Sequence, residues 1–282
     1  MKLLSFRHGG KDTYGVVSGD GVIDLGKRLG ASYPDLKTLI AKGGLDEAKK
    51  AATGAADAPL SAIEFLPVIP NPGKIICVGL NYKAHREETG RQPTDNPALF
   101  IRWADSQTAH KQPLVKPKVS HMLDYEGELA VVIGKKARHV KEADAFSIVA
   151  GYSCYNDGSV RDWQNHTPQW APGKNFPKTG SFGPWMVTKD EIPNVDELTL
   201  TTRLNGQVVQ QTGIDLMLFP IPVVIAYVTT FTELNPGDVI STGTPGGVGF
   251  KRNPQLFMKA GDKVEVDISK IGILENTIAD RK

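Results

Sequence analysis

The feature that most restricts this chain is the stretch Leu123-Asp124-Tyr125-Glu126-Gly127-Glu128-Leu129-Ala130-Val131-Val132-Ile133-Gly134, where three acids run directly into a β-branched apolar segment closed by glycine. The apolar half predicts a strand entering a buried sheet. Alternation along a strand points Asp124, Glu126 and Glu128 to one side. Carboxylates at the edge of a core are costly unless compensated, so a cationic partner is required. A second strand-like run, Ala150 to Asp157, also ends in an acid. Two Glu at i and i+2, with an Asp from a neighbouring strand, offer an all-oxygen site for a hard divalent cation such as Mg²⁺, Mn²⁺ or Ca²⁺. The same acids would equally serve as ion-pair partners of Lys or Arg on a solvated strand face.

The 282 residues suffice for one large domain, or one with a small appendage. An apolar content of 40% predicts a packed core, and a net charge of +2 from well-mixed signs lacks the basic run of a nucleic-acid binder. Cys77 and Cys154 lie in apolar runs and read as buried free thiols of a reduced compartment. The N-terminal residues lack the apolar stretch of a signal peptide, and no window approaches the ~20 apolar residues of a membrane span. The expectation is a soluble cytoplasmic protein.

Lys2 to Arg7, Tyr14 to Ser18 and Val22 to Leu25 read as a small antiparallel unit turning at Gly19-Asp20-Gly21. Leu36, Leu39, Ile40, Leu45 and Ala48 then recur at helical spacing. Pro70-Asn71-Pro72-Gly73 punctuates the chain, giving a small N-terminal domain over 1–70 and a larger domain over 71–282. Gly158 to Gly183 shows no clear period, and an irregular stretch that long inside a domain is usually functional. Asn205-Gly206 between β-rich runs predicts a hairpin with a type I′ turn. Many short strands and few long helices give a β-rich α+β fold, with a rolled sheet as one form of it.

Several side chains stand out for chemistry. His85 and Glu88 are adjacent on a helical turn, and a carboxylate on imidazole fixes the tautomer a general base needs, though a surface His beside a surface Glu has the same spacing. Arg161 and Gln164 follow Asp157 closely and suit either substrate or the bracing of acids. Lys174, in the irregular stretch, suits an anionic ligand or plain solvation. Ser241 to Gly249 is glycine-rich but lacks the Gly-Lys-Ser/Thr ending of a phosphate-binding loop. Its free N–H groups suit a carboxylate, and a tight turn is the plainer use.

Together these motifs resemble one family. The series Gly79-Leu80-Asn81-Tyr82-xx-His85, Tyr125-Glu126-Gly127-Glu128-Leu129, Asn156-Asp157-xxx-Arg161-Asp162-Trp163-Gln164, Gly173-Lys174-Asn175-Phe176, Gly183-Pro184-Trp185 and Ser241-Thr242-Gly243-Thr244-Pro245-xx-Val248-Gly249 is similar to the fumarylacetoacetate hydrolase family, in family order from about Lys74 onward. The resemblance implies a rolled β-sheet catalytic domain, usually in a homodimer, preceded by a small α+β domain. It implies Mg²⁺ or Mn²⁺, with Ca²⁺ as a possible substitute, on Glu126, Glu128 and Asp157 but not Asp124. It makes His85 and Glu88 a base pair on a lid and Lys174 the substrate and enolate contact; Arg161, Gln164 and Thr244 are the further candidates for substrate contact. Asn81 stands where some members carry a fourth carboxylate ligand, so three protein ligands are expected.

Members of that family act on 2-oxo acids. The expectation carried forward is hydrolysis of an acylpyruvate such as maleylpyruvate or fumarylpyruvate, from aromatic breakdown, to pyruvate and a second acid. The alternatives are an oxaloacetate decarboxylase or an oxo-diacid isomerase using the same enolate, and a binding module for a metal or oxo acid without turnover.

Overall fold

Leu129, Val131 and Ile133 pack into one hydrophobic cluster and the intervening Ala130 and Val132 into another, so the strand Gly127–Ile133 is covered on both faces. That is why its sequence reads as an unbroken apolar run instead of an alternating one. The structure is a computed structural model and describes residues 1–281. Gly127–Ile133 lies inside a 12-stranded sheet. Its antiparallel neighbour Val149–Asn156 leads outward to Gly180–Thr188, Lys2–His8, Lys11–Ser18 and Gly21–Asp24. On its other side stand Val239–Ser241, Ile75–Gly79 and the edge strand Ala98–Arg102. A five-stranded sheet contains Gln207–Gly213, Thr199–Leu204, Lys263–Ile268, Gly272–Asp280 and Leu114–Lys116. Leu200, Val266 and Leu274 from this second sheet share a cluster with Leu129 and Val131, as does the helix Ile221–Phe231 through Val224, Ile225 and Val228.

The N-terminal segment forms the predicted meander and three short helices, Leu25–Leu29, Leu36–Ala41 and Leu45–Ala51, and Leu25, expected at the end of a strand, opens the first of them. Asp35 caps the second of these, accepting the Thr38 N–H at 2.6 Å. The meander continues the large sheet, with Leu3 opposite Met186. Tyr14, Leu36 and Leu39 share a cluster with Ala130, Val132 and Phe182. Asn205 (φ 52°) and Gly206 (φ 80°) make the left-handed pair that the Asn-Gly signal predicts. The stretch 158–183 is less irregular than expected: 165–170 and 175–179 lie outside any helix or strand, but it holds the short strand Ser159–Val160 and two single-turn helices, Arg161–Gln164 and Ala171–Lys174. Such turns are too short to leave a 3.6-residue period. Among the described residues no helix is long and apolar enough to cross a membrane. Cys77 and Cys154 are buried and unpaired.

Candidate active site

The acids sit where one strand pair is interrupted. Gly127 faces Asn156 and Asp124 faces Ser159, so the register is kept across the break. Between them Tyr125 and Glu126 leave the ladder. The Glu126 N–H donates to the Asn156 side chain at 3.0 Å, and the Asp157 N–H donates to the Glu126 carbonyl at 2.8 Å. Glu126, Glu128 and Asp157 are buried, and one carboxylate oxygen from each lies within 4.8 Å of the others.

Cations reach this cluster from the segment after Asp157. Arg161 bridges Asp124 and Glu126, with Nε on Asp124 at 2.8 Å and Nη2 on Glu126 at 2.6 Å, while Nη1 donates to Gln164 at 2.8 Å. Lys174 Nζ donates to Glu126, Asp157 and Ser159 Oγ, each at 2.6 Å. Gly173 allows this, because a Cβ there would collide with the backbone of Gln164 and drive the two single-turn helices apart. Sequence reasoning missed Arg102, from the edge strand. It is 1% exposed and holds Asp157 through Nη1, which also donates to the Gly158 carbonyl at 3.0 Å. Its Nη2 donates to Thr179 and its Nε to Ser106, at 3.0 and 3.2 Å.

Asp124 has contacts of its own. Besides Arg161, it accepts the N–H groups of Gly249 and Phe250 at 2.8 and 2.9 Å, bracing the turn Gly249–Lys251. Asn81 is spent on the backbone too: its side chain donates to Phe219 and Thr242 carbonyls and accepts the Phe219 N–H at 2.7 Å.

Glu128 differs from its neighbours. It accepts from Ser241 Oγ and from the Gly243 N–H at 2.9 Å, and among the described residues it is in no ion pair. Burial, then the Asp157 and Glu126 charges, push its carboxyl well above the usual range. Burial also acts on Glu126, but the Arg161 and Lys174 charges outweigh it and hold that carboxyl below the usual range. Burial pushes Asp157 up against the opposing pull of Lys174 and Arg102. Three converging carboxylates, one lacking any counter-charge, fit a hard divalent cation by donor chemistry and by charge.

Above the acids lies the helix Lys83–Thr89. His85 is buried, and its Nδ1 lies 2.7 Å from Glu88, whose other oxygen accepts the Gly247 N–H at 2.9 Å. Leu80, two residues before Tyr82, holds φ at 58°, an uncommon angle for a branched side chain and one that tends to occur at functional sites. His85, Glu126, Glu128, Asp157, Arg161, Gln164, Lys174 and Thr244 border one cavity of about 100 Å³, with Phe100 and Trp170 among the other walls. Glu88 stands behind His85. Thr244 Oγ1 donates to the Gly127 carbonyl and accepts from Gln210, so it arrives at the cavity already bonded. The sequence-predicted residues therefore converge, while Arg102 and Trp170 carried no local signal.

A sheet-rich α+β fold with a buried carboxylate cluster under a His–Glu pair defines a class of enzyme site. Residues 74–279 match the family described as Fumarylacetoacetate (FAA) hydrolase C-terminal. The chain belongs to the fumarylacetoacetate hydrolase family. It is 37% identical over 288 residues to the oxaloacetate tautomerase Fahd2a, mitochondrial, of Rattus norvegicus, covering 99% of this chain and 91% of that protein. The solved fumarylacetoacetate hydrolase from Exiguobacterium antarcticum is 30% identical with a TM-score of 0.84, both chains fully covered. Maleylpyruvate hydrolase from Sphingobium sp. SYK-6, solved with manganese(II) and pyruvate, is 29% identical with a TM-score of 0.84, again over both chains.

Proposed function

We propose that the protein moves a proton next to the 2-oxo group of a small 2-oxo dicarboxylic acid, with oxaloacetate, the substrate in the names of relatives 37% identical to it, as its substrate. The observation that carries this reading is the convergence of three acids and His85, itself bonded to Glu88, on one cavity of about 100 Å³. That is well below the roughly 300–1,000 Å³ of sites for drug-sized ligands, so a four-carbon diacid suits it. Glu126, Glu128 and Asp157 would hold Mg²⁺ or Mn²⁺. Bound there, the ion would polarise the 2-oxo group and offset enolate charge.

The chain's own groups supply the rest. Glu88 fixes the ring of His85 through Nδ1, leaving Nε2 to take the proton from C3 of the keto form. The Glu88 charge stabilises the imidazolium that results. The same proton returns to the substrate oxygen, which completes the keto-to-enol shift. Lys174 places an ammonium beside the developing anion, and Arg161 and Gln164 orient its carboxylate.

Acylpyruvate hydrolysis, the sequence expectation, is the second reading, favoured by the likeness to the maleylpyruvate hydrolase. There His85 would instead deprotonate a water attacking C4. Decarboxylation of oxaloacetate uses the same enolate without a base. A homodimer belongs to this proposal, because Ile101, Trp103 and Phe231 stand exposed beside the free edge strand Ala98–Arg102.

The test is a panel of oxaloacetate and acylpyruvates, assayed with Mn²⁺ and with EDTA. Oxaloacetate enol and keto forms should interconvert rapidly with Mn²⁺ and not with EDTA. His85→Ala should lower that kcat by roughly 10²- to 10⁴-fold, the usual worth of a positioned base. Release of pyruvate and a second acid from an acylpyruvate, with no effect on oxaloacetate, would replace this reading by the hydrolase.

A further inference from the structure

Beyond the acids, the cavity wall carries two cations to which neither the resemblance nor the chemistry above gives a role. Arg91 and Lys251 both border the cavity and both are exposed at its mouth. Neither side chain belongs to an ion pair among the described residues, and Lys251 Nζ lies 5.3 Å from the centre of the Phe250 ring.

Their backbones are anchored independently of each other. Gly90 ends the lid helix in the left-handed region at φ 69°, and the Arg91 N–H closes back on the Arg86 carbonyl at 3.2 Å. This helix-terminating bond fixes where the Arg91 side chain starts. Lys251 sits on the turn whose N–H groups at Gly249 and Phe250 are held by Asp124. The Lys251 N–H itself donates to Val248 at 3.2 Å.

Charge counting shows what they are for. The inner site holds four carboxylates, Asp124, Glu126, Glu128 and Asp157, against three fixed cations, Arg102, Arg161 and Lys174. A divalent ion overshoots that deficit by one charge, which a single substrate carboxylate cancels. A second carboxylate then has no counter-charge inside. We infer that Arg91 and Lys251 form a clamp for the distal carboxylate of a 2-oxo dicarboxylate, and so set the preference for diacids over monoacids. The inference deepens the reading proposed above and rests on it. The two cations come from different segments, one just after the helix Lys83–Thr89 and one on the turn Gly249–Lys251, so a carboxylate held by both would tie the segments together.

The test uses the Mn²⁺-loaded protein and two ligands of equal chain length, 2-oxoglutarate and 2-oxopentanoate, which differ only in the distal group. Calorimetry should give about tenfold tighter binding of 2-oxoglutarate, in line with a partly solvated charge contact. In the double variant Arg91→Ala with Lys251→Ala the preference should vanish, while affinity for Mn²⁺, oxalate and 2-oxopentanoate stays unchanged. A preference that survives the double variant overturns the clamp, as does a wild type that does not discriminate or binds neither ligand. The outcome is separable from the fate of the proposed reaction, because binding preference is read without turnover. A diacid preference abolished by the double variant, with no oxaloacetate tautomerisation by the wild type, would remove the reaction and keep the clamp.

Discussion

The two flanks of the acid cluster are built from opposite materials. On one side, the segment 157–174 and the edge strand bring Arg161, Lys174 and Arg102 to Glu126 and Asp157. On the other, the segment 241–249 brings Glu128 only a hydroxyl and an amide. Both flanks satisfy hydrogen bonds; only one satisfies charge. The difference shows in the carboxyls, with Glu126 held low and Glu128 driven high. The lesson is that a site of this kind is not made attractive to a cation by acids alone. Cations of the chain neutralise most of the cluster, and the one flank left neutral-lined keeps the demand for a bound ion.

The strongest way to break this comparison is Glu128→Gln. Mn²⁺ affinity should fall by more than ~100-fold, past the range typical of groups that merely support a ligand. The metal-free protein should hold its stability, since the substitution removes a buried, uncompensated charge. Glu126→Gln should lose the metal as well but also destabilise the metal-free protein, by leaving Arg161 and Lys174 under-paired. Identical thermal behaviour of the two metal-free variants would erase the distinction between the flanks.

Arg102→Met tests the charged flank from behind. It leaves Asp157 buried without one of its two cations, and breaking such a pair costs about 3–5 kcal/mol. Chemical denaturation should show the loss, with a weaker Mn²⁺ affinity in calorimetry. Stability within error of wild type would mean Lys174 alone suffices.

Ser241→Ala tests the neutral flank and should have the smallest effect, about 1–3 kcal/mol for a buried group losing a partner. Its sign with pH sharpens the comparison. A carboxyl raised in the folded state favours folding below its unfolded pKa and loses that contribution as pH rises toward the folded value. Removing the Ser241 hydroxyl, which opposes the rise, should therefore extend to higher pH the fall in metal-free stability that begins above the unfolded Glu range, ~4.3. A pH profile parallel to wild type would show that Ser241 does not govern Glu128.

What the sequence disclosed follows the range over which its signals act. Glu126, Glu128 and Asp157 were readable because strand alternation and a neighbouring strand end are short-range patterns. His85 and Glu88 were readable because i and i+3 fall together on any helix. The Asn205-Gly206 hairpin and the boundaries of most strands were legible for the same reason. Arg102 was not, because its partner lies 55 residues away and their strands are separated in the sheet by Ile75–Gly79, Val239–Ser241 and Gly127–Ile133. The helices around Arg161 and Lys174 span one turn each, so periodicity had nothing to register. Asp124 was legible as an acid, while its grip on Gly249 and Phe250 depends on a contact across 125 residues.

The Glu88 carboxylate has a mechanical consequence. One oxygen steadies His85 and the other clasps the Gly247 N–H, so a single side chain is the key to two locks. Any motion that lifts the helix Lys83–Thr89 from the glycine-rich loop breaks the clasp on Gly247 and carries His85 and Glu88 away together, since both ride on that helix. The proposed base would travel with its cover as one piece, so its reach into the cavity would depend on a single bond to the loop.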